Sequence, residues 1–135
     1  MLSIILSSIA GMFTMMFLDY VWLSKIAKMF YIDNLRAHIL LKNDSLVPYL
    51  PAVPLVYIVA IVGIWIFVIP KSSTALSAFL LGGFLGFILY AFYDLTNLST
   101  LKEYTWSLAL VDTLWGTLLI GVISLVIYLV HSVII

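Results

Sequence analysis

The sequence predicts an all-α integral membrane protein, with four transmembrane helices in an up-down bundle, and three observations predict it. Apolar residues make up 65% of the 135 and charged residues only 9%, whereas a soluble domain is about half apolar and a quarter charged. Four apolar runs reach the roughly 20 residues needed to cross a hydrocarbon core as a helix. None of them alternates with a strand period, and a helix satisfies its own backbone in lipid.

The same composition excludes several functions. Six basic and six acidic residues cancel, so no basic stripe is available for nucleic acid. The chain has no cysteine, which rules out disulfides, thiolate metal sites and thiol nucleophiles. His38 and His131 are its two imidazoles and lie outside the apolar runs, so no metal centre is expected. No constellation implies a cofactor.

Taken in order, the spans fall at about 2–24, 49–69, 74–96 and 105–130, and the chain is read as a single transmembrane domain over 1–135. No Lys or Arg precedes the first run and no small-x-small cleavage site ends it, so it is read as a permanent span rather than a signal peptide. The loop that follows carries Lys25, Lys28, Arg36 and Lys42. Ile26, Met29, Phe30, Leu35, Ile39 and Leu40 form an apolar stripe through it, which predicts an interfacial helix lying among the headgroups. Pro48, Pro51 and Pro54 bracket the start of the second span, where proline costs least. Pro70 follows its end. Short connections between spans two, three and four force antiparallel neighbours.

The basic residues set an expected orientation. Loops one and three hold Lys25, Lys28, Arg36, Lys42 and Lys102, against Lys71 alone in loop two. Loops one and three are therefore expected in the cytoplasm, and both termini outside it.

Three carboxylates interrupt the apolar runs: Asp19, Asp94 and Asp112. An ionisable group inside a membrane is costly and marks a candidate functional site. Asp19 lies about a turn before the end of span one, Asp94 closes span three, and Asp112 lies about two turns into span four. At 1.5 Å per residue all three fall within roughly 10 Å of the cytoplasmic interface. Asp94 is in helical line with Gly83 and Tyr90, and the Gly82-x-x-x-Gly86 spacing permits close helix approach, so Asp94 should face the packed side. The spacing Asp-x-x-Trp occurs twice, as Asp19 with Trp22 and Asp112 with Trp115. Asp19, Asp94 and Asp112, with Tyr93, Asn97, Trp22 and Trp115, are the candidate ligand- or proton-binding residues, with no residue assigned a catalytic role. Trp65, Tyr57, Tyr128 and His131 read as core or interface residues.

Leu18-Asp19-x-x-Trp22-Leu23, Phe30-Tyr31, Tyr93-Asp94-Leu95-Thr96-Asn97 and Val111-Asp112-x-x-Trp115-Gly116-Thr117 resemble a family of small bacterial four-helix proteins known as predicted membrane proteins. The similarity runs the length of the chain, with Tyr-Asp-Leu-Thr-Asn its most specific block. The resemblance implies a bacterial inner-membrane location and brings no activity.

Three functions remain open. The acids can bind or transport a proton, a cation or a small amphiphile, in which case a continuous pathway needs a homo-oligomer. An intramembrane lipid-modifying enzyme can use two acids as acid and base, or the carboxylates and Asn97 as ligands of a divalent cation. A structural or assembly subunit can use the acids as helix clamps. Membrane lipids are the expected surroundings in all three, and the small-molecule ligand is unspecified.

Overall fold

A computed structural model describes residues 1–35, 40–43 and 45–135. Four of its helices are long and apolar enough to cross a membrane, at Leu2–Ile26, Val53–Lys71, Ala75–Thr100 and Trp106–Ile134. The protein is an all-α membrane protein. Its outward faces are apolar: Phe13, Phe17, Val59, Phe84 and Leu114 all stand exposed, as suits a surface solvated by lipid rather than water.

Helix α1 covers Leu2–Val21 and continues through a π-helical turn at Trp22–Ile26. In that turn the Ala27 amide donates to the Trp22 carbonyl five residues back, at 2.7 Å. The extra residue widens the helix end, a device frequent at functional sites. The chain then folds into α2, Lys28–Leu35. This is the helix expected in the first loop. Ala27, Tyr31 and Ile32 are buried on its inner side, while Ile26 and Met29 of the expected stripe are exposed. Ile39, with Arg36 and His38, lies outside the described residues. A two-residue antiparallel ladder follows, pairing Leu41 with Leu46 and Lys42 with Ser45.

Helix α3 covers Val53–Phe67 and ends in a 3-10 turn at Ile69–Lys71. It starts later than the expected 49. Pro51 and Pro54 favour a turn first, closed by the Ala52 amide on the Tyr49 carbonyl at 3.0 Å, and Pro54 then occupies the first helical turn, where its missing amide is harmless. Helix α4, Ala75–Thr100, begins with a capping box between Thr74 and Ser77. It runs beyond the expected 96 to Thr100, where the Leu101 amide closes the last turn on the Asn97 carbonyl at 2.8 Å. Helix α5, Trp106–Ile134, is capped by Thr105.

Helix α5 is the axis of the bundle, packed on α4 and on α1, whereas α3 is held more loosely. The α4–α5 seam is made by glycine. A Cβ on Gly82 would overlap the Ser124 side chain, one on Gly86 the Gly116 carbonyl, and one on Gly116 the Tyr90 ring. Without side chains at these points the two backbones approach closely, which is how helices associate where no hydrophobic drive exists between them. Met15, Ile64, Leu119, Ile120, Ile123 and Ile127 form the main core.

Candidate functional site

The site lies at the bundle end where α1 runs into its π turn and α5 begins. Helices α1 and α5 are antiparallel there, so the two Asp-x-x-Trp motifs run in opposite directions at the same level. Each places its Asp and Trp on one face, three residues and about 4.5 Å apart along the axis. Asp19 is therefore level with Trp115, and Trp22 with Asp112. The Trp115 indole Nε1 donates to Asp19 Oδ1 at 3.1 Å. The Trp22 and Trp115 rings stack, with centroids 4.4 Å apart and planes within 2°. Trp22 Nε1 donates to the Tyr31 hydroxyl at 3.2 Å, and that hydroxyl donates to Asp112 Oδ1. The two motifs thus interlock, directly on one side and through Tyr31 on the other.

Each carboxylate has a tyrosine of its own. Tyr31 serves Asp112, and Tyr57 of α3 stands near Asp19. The Tyr104 hydroxyl donates to Asp94 Oδ1 at 2.5 Å. Tyr90 stands among all three acids, its ring seated on Gly116. Burial, and then the facing carboxylate, push the hydroxyls of Tyr31 and Tyr104 above the ordinary tyrosine value of 10.0, so both stay protonated donors.

The acids are unequal. Asp94 is fully buried, and both its oxygens are occupied, the second by Thr113 Oγ1 at 2.8 Å. It lies on the packed face between α4 and α5, sealed as a clamp. Asp112, one residue before Thr113, has Tyr31 on one oxygen, and among the described residues its Oδ2 has no hydrogen-bond partner. Asp112 also lines a cleft of about 580 Å³ that opens sideways between α3 and α4. Met15, Ala60 and Ile120 form its buried floor, and Val56, Val59 and Leu89 its exposed rim. Tyr90 and Tyr93 line it together with Asp112, which among the described residues is the one carboxylate facing this space.

Of the candidate residues, Asp19, Asp112, Trp22 and Trp115 come together in one network. Tyr93 turns away from Asp94 to the cleft rim, and Asn97 stands beside the Tyr104 hydroxyl. Lys25 is exposed. Among the described residues no three acidic or imidazole groups converge as they would around a metal ion. Sequence reasoning missed Tyr31, Tyr57, Tyr104 and Thr113 as partners. Only Tyr31, within a block that carries the family resemblance, and Tyr90, in line with Asp94, gave a signal.

The π turn aims α2 back over this bundle end. Thr105, which caps α5 through the Leu108 amide at 3.2 Å, also donates to Asn34 Oδ1 at 3.1 Å. Leu108, Ala27 and Tyr31 pack as a small separate core beneath α2. These contacts hold Tyr31 in place over Asp112.

Comparison with known proteins gives no match to a curated protein or to a solved structure. The model of one family, described as "Predicted membrane protein (DUF2177)", matches residues 4–129, and the chain belongs to that family.

Proposed function

We propose that the protein is a binding or transport module of the bacterial inner membrane, and that its acid network takes up a proton, a cation or the positive head of a small amphiphile. The observation that carries this reading is the contrast between Asp94, with both oxygens occupied, and Asp112, which lines a lateral cleft and has a partner, among the described residues, on Oδ1 alone. A carboxylate kept within a span without a full set of donors is a poor helix clamp. It is well placed to receive a positive charge. The excess of Lys and Arg in loops one and three supports a cytoplasmic position for this end, with both termini outside.

Infrared difference spectroscopy across a pH titration tests the reading. The expected result is a protonated-carboxyl band that responds to pH and to added tetraphenylphosphonium, and that is lost in Asp112→Asn. Identical, cation-insensitive spectra from wild type and variant would reject the reading in favour of acids that serve only as helix clamps.

A further inference from the structure

Resting on that reading, we propose that the cleft between α3 and α4 binds a single-chain cationic amphiphile, a long-chain alkyl amine or alkyl ammonium, taken directly from the bilayer. Three features of the cleft point to this class.

The first is access. The rim residues Val56, Val59 and Leu89 stand exposed on the outer face of the bundle. A ligand enters from the acyl-chain region without first crossing water. The second is shape and lining. The volume, about 580 Å³, falls within the roughly 300–1,000 Å³ typical of small-molecule sites. The floor of Met15, Ala60 and Ile120 offers no hydrogen-bonding side chain to an alkyl tail. A tail seated there exchanges one apolar neighbour for another, so chain burial alone gives little selectivity. Selectivity has to come from the polar end.

The third feature is that end. Asp112 lines the cleft with one oxygen still available. Tyr90 and Tyr93 stand beside it with aromatic faces that attract an alkyl-ammonium group. Asp19 and Asp94 lie close behind Tyr90. Among the described residues no Lys or Arg lines the space, which disfavours a fatty acid or a phosphate headgroup. The charge complementarity selects a positive head, and a volume of about 580 Å³ suits one alkyl chain better than two.

The test is native mass spectrometry of the full chain released from phosphatidylcholine nanodiscs, titrated with dodecylamine or with dodecanol. The two probes share a chain and differ in the head. Wild type is expected to bind dodecylamine at least about tenfold more tightly than dodecanol, the scale of one charge-assisted contact. Asp112→Asn should lose that preference; its amide oxygen still accepts from Tyr31, which preserves the fold. Val59→Trp, an exposed rim position, should block dodecylamine while leaving the pH response of the infrared carboxyl band intact. Equal binding of amine and alcohol, unaffected by Asp112→Asn, would mean an ordinary lipid groove and overturn the proposal. An infrared response without dodecylamine binding would overturn the amphiphile alone and leave the broader reading standing. Loss of both signals would remove both.

Discussion

Both oxygens of Asp94 are satisfied inside the α4–α5 seam, by Tyr104 and by Thr113. Removing one donor leaves a buried carboxylate oxygen bare. Hydrogen bonds between membrane helices average about 0.6 kcal/mol and reach about 1.7, and a fully buried acceptor belongs at the upper end. Thr113→Val should therefore lower unfolding stability by about 1–1.7 kcal/mol in a denaturant titration, with ligand uptake at Asp112 preserved. Asp112→Asn should show the reverse, with uptake lost and stability nearly unchanged. Equal destabilisation by both would erase the distinction between clamp and site. The acids themselves were legible in the sequence, because a carboxylate in an apolar run has no bland composition to hide in. Their tyrosine partners were not. A tyrosine near a membrane boundary reads as an ordinary interface anchor, and Tyr31 and Asp112 are 81 residues apart in sequence. Their pairing depends on how α2 folds back, which local pattern does not encode.

At the scale of elements, the repeated Asp-x-x-Trp spacing has a geometric meaning that only the antiparallel pairing of α1 and α5 reveals. The lengths of α3 and α4 differ from expectation: prolines delayed the start of α3, and α4 runs one turn further, to Thr100. The glycine spacing was legible as a close-packing surface, and Gly82 and Gly86 do form the seam with α5. Its far side is Gly116, which receives the Tyr90 ring. A methyl group there has no room, and overpacking of this kind costs about 1–3 kcal/mol. Gly116→Ala should fall in that range and disturb Tyr90 beside the cleft. Gly63→Ala is the control, because its nearest new neighbour, Leu85 Cδ2, is at 3.6 Å, an ordinary contact. Helix α2 adds a pH signature. The Tyr31 hydroxyl is raised above 10.0, so the folded state favours its neutral form. That contribution is fully present below 10.0 and is lost as pH rises through the folded value. Wild type should lose thermal stability in alkali more steeply than Tyr31→Phe.

Across the whole molecule, packing is uneven. Helix α5 binds α4 and α1 closely, while α3 leaves a lateral opening on the side of α4. The cleft is bounded by the early turns of α3 and the later turns of α4, in the half of the bundle that holds Asp112. The leaflet it faces is therefore fixed by the orientation of the chain, and so is the side on which a ligand is taken up. The charge distribution supports a cytoplasmic position for loops one and three. The chain contains no cysteine, so a single introduced thiol reports on one position alone. Lys71 and Lys102 are both exposed and lie in loops at opposite ends of the bundle. In intact bacterial cells, Lys71→Cys should react with a membrane-impermeant maleimide, and Lys102→Cys should react only after the membrane is opened. The opposite pattern would place the acids and the cleft in the outer leaflet. Labelling of both positions in intact cells would mean that copies insert both ways round, and the cleft would then draw on both leaflets. The proposed orientation survives only if protection is confined to Lys102→Cys, because then the acid-bearing end and the leaflet from which the cleft fills both lie on the cytoplasmic side.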